Sequence, residues 1–336
     1  MTLATWLIAA ALAAGAQGAP DGSDTAEAAP QPTLSLQAPV ADPRQAGLLS
    51  RAGTYAAFHE DVDAAARRPL LSGVDLDDTM DALAAYYSDD RLVDAQIAYA
   101  ALIAAQHPEY IDAVRSVADY YGADAVGRGI INDPLYITGF MGTQEASASV
   151  VNAISTDVRQ IHEVGNRYRQ ASYDLQAEAW AQARARDRAE RLTSIETASS
   201  RVTVQFQSER PTGAITARNG SLASASALYT GNAPSSAPLP DLALTVGEAA
   251  LQPDERRTSR ILSVAALNAI HSGDMDVMDA LLNEPTVQRC INWARLDLNQ
   301  CVAAGHFKYE DAYCIAEHAL LDVARCLTAA QPAMSN

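Results

Sequence analysis

The sequence predicts an all-α protein of two helical domains. Apolar residues recur at spacings of three and four along most of the chain, which is the period of an amphipathic helix. Pro, Gly, Asp and Ser stand where such helices would begin and end. One short segment, residues 201–207, alternates with period two as a strand does. We therefore expect helices throughout, with β-structure limited to weak segments in a linker.

The N-terminus has the features of a secretory signal peptide. An apolar run extends from Leu3 to Ala14 and is followed by small residues. This run is too short to cross a bilayer, which takes roughly 20 apolar residues. We assign residues 1–18 to a cleaved signal peptide, with an uncleaved anchor as the alternative. Residues 19–45 are rich in Ala, Pro and Gln and predict a disordered tether.

Residues 46–198 form the first predicted domain. Four helices are expected at its start, punctuated by Gln45, Pro69, Asp77, Ser88, Pro108 and Gly122. From residue 143 to residue 197 there is no proline and one glycine, which predicts a single helix of about 50 residues, roughly 75 Å long. Its apolar row at heptad-like spacing fits either packing along its own domain or self-association as a coiled coil.

The second predicted domain covers residues 255–330. A Ser/Pro-rich linker, residues 199–254, precedes it. Four helices are expected in this domain, at residues 256–272, 274–283, 285–304 and 308–329.

The four cysteines of the chain predict a disulfide-stapled helical hairpin. They are Cys290, Cys301, Cys314 and Cys326, and they admit three pairings. Pairing within one helix fails, because eleven residues of helix rise about 16 Å. Only in the nested pairing, Cys290–Cys326 with Cys301–Cys314, do both pairs have nearly the same midpoint in the sequence, at residues 307–308. Two antiparallel helices joined by a turn at these residues would bring both pairs together. Cys314 and Cys326 are twelve residues apart, about 120° off a common helix face, so the last helix must be bent or irregular.

A metal site is the alternative use of these cysteines. Two cysteines and two histidines, at Cys301, His306, Cys314 and His318, could hold zinc in tetrahedral geometry. Disulfides are favoured in an exported chain, so we expect no metal and no other cofactor.

One pair of residues has the composition of a catalytic site. His59 and Asp63 stand four residues apart on a helix face, where a carboxylate could orient a histidine base. A solvated helix face explains the same pattern. Because no Gly-x-Ser-x-Gly elbow, P-loop or dinucleotide fingerprint occurs, we assign no catalytic residue and lean against an enzyme.

The net charge of −17 disfavours nucleic-acid and anionic-lipid partners. We expect an exported interaction or structural protein that binds envelope proteins, or itself through the long helix. The periplasm of a Gram-negative bacterium is the expected location, with secretion or surface attachment as the alternative. Two other functions remain open: a hydrolase of an envelope polymer that uses carboxylates of the first domain, and a small-ligand or metal-binding module at the hairpin.

Overall fold

The computed structural model describes residues 43–87, 91–133, 135–185, 188–201, 253–272 and 275–328. These residues are all-α, as predicted, and contain no β-strand. The helices are α1 (Pro43–Arg67), α2 (Gly73–Ala84), α3 (Arg91–Ala104), α4 (Pro108–Tyr121), α5 (Ala123–Asn132), α6 (Thr143–Asp174), α7 (Arg188–Arg201), α8 (Pro253–Ala269), α9 (Met275–Leu282), α10 (Pro285–Ala304) and α11. The signal peptide, most of the tether and the β-segments of the linker lie outside the described residues and stay predictions.

The last helix, α11, has three stretches. An α-helical stretch, Lys308–Cys314, leads into a π-helical stretch, Ile315–Leu321, and a second α-helical stretch, Asp322–Leu327, completes it. The four C-terminal helices agree with the predicted bounds to within three residues.

Local capping residues set several of the helix ends. Pro108 is the first residue of α4, and Gly122 ends that helix with a φ of +89°, which a glycine adopts without strain. The start of α2 was predicted wrongly at Asp77. Asp75 accepts a hydrogen bond from the Ser72 backbone N–H at 2.8 Å, and the helix begins at Gly73.

The prediction of a helix of about 50 residues is wrong. α6 has 32 residues, and a 3₁₀ turn at Leu175–Ala177 extends it to 35. Beyond this turn the backbone pairs with the segment before α11 and with the first turn of α11. Ala185 N donates a hydrogen bond to His306 O (2.9 Å), and Tyr309 N donates one to Ala181 O (3.2 Å). These tertiary hydrogen bonds replace helical ones, so the chain leaves the helix without a proline or glycine.

The heptad-like row of α6 faces the core of the protein. Ile154, Ile161 and Tyr168 on this row are buried. α11 packs so closely on α6 that a Cβ atom at Gly165 would lie 2.7 Å from Leu321 Cγ. These three residues therefore pack within the chain, whereas Val151 on the same row is 38% exposed, and self-association stays a prediction.

Helices that precede and follow residues 202–252 share one hydrophobic core. α8 packs against α3 and α4, and the Tyr110 hydroxyl donates a hydrogen bond to Leu262 O at 2.8 Å. All the residues that the structure describes belong to one compact unit. In the part of the chain that the structure describes, no helix has the length and hydrophobicity of a membrane span.

Candidate functional site

Two disulfides join α10 to α11 in the predicted nested pairing. The Cα atoms of Cys290 and Cys326 are 5.5 Å apart, and those of Cys301 and Cys314 are 5.7 Å apart. Both separations lie within the usual range for a disulfide. The two helices are therefore fixed to each other at two levels, and this hairpin is the framework of the candidate site.

The π-helical stretch explains how Cys314 and Cys326 reach the same partner helix. A π turn holds one more residue than an α turn. Twelve residues that include such a turn cover about the rotation of eleven α-helical residues, which leaves the two cysteines roughly 20° apart. Cys290 and Cys301 on α10 are eleven residues apart and have the same offset. The irregularity that the sequence required thus lies at Ile315–Leu321.

The site of two cysteines and two histidines does not form. The Sγ atoms of Cys301 and Cys314 are bonded to each other, so neither is a thiolate ligand. His306 is exposed in the segment between the helices, and His318 lies within the π-helical stretch. The metal alternative in that form is wrong.

A different cluster of possible metal ligands surrounds His318. One ligand atom each from Asp297, His318 and Asp322 lies within 4.8 Å of the other two, and all three side chains are partly buried. His318 Nδ1 and Asp322 Oδ2 are hydrogen-bonded at 2.8 Å. Arg325 Nη1 lies 3.1 Å from the other carboxylate oxygen of Asp322. This Asp–His–Asp cluster joins α10 to α11 one helix turn from the Cys301–Cys314 bond.

The sequence points to His318 and to neither aspartate, although the cysteine pairing contains the signal for Asp297. In an antiparallel hairpin, the residue numbers of two facing positions add up to the same total at every level. Asp297 and His318 have the same sum, 615, as Cys301 and Cys314. Asp322 follows His318 by four residues and therefore lies on the same face.

Large apolar side chains are exposed beside this cluster. Trp293 stands one helix turn before Asp297 and has 62% of its surface exposed. Leu296, three residues after Trp293 and thus on the same side of α10, is 42% exposed. A tryptophan this exposed on a covalently fixed helix is a candidate contact for another molecule.

His59 is fully buried in the structure. Its side chain has no exposed surface and lies against the rings of Tyr55 and Phe58, at centroid distances of 4.5 and 5.4 Å. His59 Nε2 is 3.9 Å from Asp157 Oδ2. Asp63 accepts a hydrogen bond from Gln160 Nε2. A base must reach the proton that it abstracts, and His59 does not contact solvent in this conformation, so neither residue receives a catalytic role.

Carboxylates also line a pocket between α2, α7 and the hairpin. Lys308, the only lysine of the chain, binds Asp77 and Asp311, and Arg191 binds Asp311 from the other side. Asp81 accepts hydrogen bonds from Ser194 Oγ at 3.0 and 3.1 Å. The cavity volume of about 20 Å³ is room for about one water molecule. These carboxylates therefore connect three segments and leave no space for a polymer chain.

Comparisons with protein-family models, curated proteins and solved structures find no match for this chain. The function is therefore argued from the geometry of the site.

Proposed function

We propose that this is an exported envelope protein that binds a partner protein through the exposed face of α10. The observation that carries the proposal is the pair Trp293 and Leu296, whose side chains are 62% and 42% exposed on one side of this helix. Tryptophan is enriched among the residues that dominate binding energy at protein interfaces. The proposed role is binding, with no chemical step.

The disulfides support this role because they make the surface rigid. Trp293 lies between the levels of Cys290 and Cys301, the two positions where α10 is bonded to α11. Association loses less conformational entropy when the contacting helix is already fixed. The hairpin, with its exposed tryptophan, is thus a better binding surface than α6, whose apolar row lies in the core.

The disulfides also support an oxidising compartment. Stable disulfides are found in exported proteins and are rare where thiols are kept reduced. Together with the predicted signal peptide, they support the periplasm of a Gram-negative bacterium, with surface attachment or secretion as the alternative.

The test is a crosslinking pull-down from the native envelope. We expect the Trp293→Ala/Leu296→Ala variant to recover its main partner at least about tenfold less than the wild type, because removal of one dominant contact costs about 2 kcal/mol or more. Tyr120→Ala is the matched control, since Tyr120 is 65% exposed on α4 and takes no part in the proposed surface. Thermal unfolding of all variants verifies the fold.

Two outcomes would contradict the proposal. One is an unchanged set of partners for the Trp293→Ala/Leu296→Ala variant. The other is cleavage of cell-wall polymer by the purified wild-type protein, measured in parallel, which would favour the hydrolase alternative.

A further inference from the structure

We propose that Asp297, His318 and Asp322 bind a divalent transition-metal ion of the zinc class. This inference is independent of the partner-binding role. The three ligand atoms lie within 4.8 Å of one another. Ligands at 2.0–2.2 Å from one zinc ion are roughly 3–4 Å apart, so small side-chain rotations bring these atoms to coordination distance.

The carboxylate of Asp297 supports the site because a bound metal ion would supply the counterion that this carboxylate lacks in the part of the chain that the structure describes. Among the described residues it takes part in no hydrogen bond or ion pair, although its side chain is partly buried. Partial burial of a charge without a counterion is unfavourable. On the other side of the cluster, Arg325 Nη1 lies 3.1 Å from Asp322 Oδ1 and orients this carboxylate, as outer-shell partners orient metal ligands.

The hairpin holds the ligands in position. Asp297 and His318 each lie four residues from a cysteine of the Cys301–Cys314 bond, so the disulfide fixes their helices one turn away. His318 belongs to the π-helical stretch, a local distortion that is frequent at functional sites. A site fixed in this way binds without first ordering its ligands.

The ligand types select the class of ion. An imidazole nitrogen suits zinc, copper, nickel and iron, whereas sites made only of carboxylate, carbonyl and water oxygens suit magnesium and calcium. One imidazole and two carboxylates therefore favour a transition metal. Three protein ligands leave a coordination position for water or for a further ligand.

The experiment measures Zn²⁺ binding by equilibrium dialysis, using the full disulfide-bonded protein after removal of metal with a chelator. We expect one Zn²⁺ per chain for the wild type. Asp297→Asn keeps the size of the side chain and breaks no hydrogen bond in the described structure, and it should weaken binding at least about tenfold. His318→Gln should weaken it similarly. His306→Gln, in the same hairpin but outside the cluster, should bind like the wild type.

A second signal verifies the ligands. Co²⁺ bound at this site should give visible absorption bands that the Asp297→Asn and His318→Gln variants lose. Zinc binding no tighter in the wild type than in Asp297→Asn/His318→Gln would overturn the site. Preferential binding of Ca²⁺ over Zn²⁺ by the wild type would overturn the assignment to a transition metal.

Discussion

Asp61 and Tyr86 show how a single partly buried carboxyl group can contribute to the pH dependence of stability. The Tyr86 hydroxyl donates a hydrogen bond to Asp61 Oδ2 at 2.6 Å. Burial raises the pKa of Asp61 above its usual value, and the hydrogen bond from Tyr86 opposes this only in part. The folded protein therefore holds the Asp61 proton more tightly than the unfolded chain, and ionisation of Asp61 lowers the free energy of unfolding.

We expect Asp61→Asn to gain stability relative to the wild type as the pH rises. Below the unfolded pKa of about 3.9, Asp61 is protonated in both states, so the difference in unfolding free energy is constant. The difference should grow in favour of the variant as the pH rises from there through the folded pKa, and then level off. Urea unfolding across this range measures it. Asp119→Asn, at an exposed position of α4, is the control, and parallel curves for Asp61→Asn and the wild type would contradict the prediction.

The residues of the candidate site could be predicted only in part. His318 stands out in the sequence because it lies four residues after Cys314, on the same helix face. Asp297 is one of 41 acidic residues and has no local signature. It becomes a candidate only when the pairing of α10 with α11 is known, because its partners are distant in sequence. The sequence places His59 on a helix face but does not show that its side chain is fully buried.

At the scale of elements, prediction succeeded where helix ends depend on local residues. Pro108, Gly122 and Pro285 act through their own backbone preferences, so the ends of α4 and the start of α10 were found. The end of α6 depends on hydrogen bonds to residues 306–309, which lie more than a hundred positions away in the sequence. No local sequence pattern therefore predicts where α6 ends. The π-helical stretch falls between these cases, because the cysteine spacing required an irregularity without giving its form.

The two disulfides should contribute unequally to stability. In the chain-entropy description, a disulfide stabilises more when it closes a longer loop. The pairs are separated by 13 and 36 residues, which corresponds to about 3 and about 4 kcal/mol, respectively. We expect Cys290→Ala/Cys326→Ala to lower the free energy of unfolding more than Cys301→Ala/Cys314→Ala. Urea unfolding without reductant measures both, with the fully reduced wild type as reference, and the reverse order would contradict the prediction.

At the scale of the whole molecule, polar contacts connect helices from both sides of residues 202–252. Gln96 Nε2 on α3 donates to Leu327 O at 3.0 Å, at the end of α11. Arg257 on α8 is buried and binds the side chains of Gln96 and Glu284. It also donates hydrogen bonds to the carbonyl groups of Leu327 and Thr328 at the C-terminal end of α11. Removal of one partner of a buried ion pair typically costs 3–5 kcal/mol. Because of these contacts we expect the two predicted domains to fold and unfold together, although the sequence predicts each as separate.

Cleavage of the chain inside residues 202–252 would test this cooperation. Both disulfides join residues of α10 and α11, so no covalent bond would connect the two fragments afterwards. We expect the fragments to elute together at the size of the intact protein, because α8 buries Ile261, Val264 and Leu267 in the shared core. They should separate only in denaturant.

The isolated C-terminal fragment, residues 253–336, should show no cooperative thermal unfolding, because separation exposes this apolar face of α8 to water. An inserted site for a sequence-specific protease makes the cut, and the uninserted protein treated with the same protease is the control. Separate elution without denaturant, together with cooperative unfolding of the fragment, would contradict a shared core and restore two independent domains.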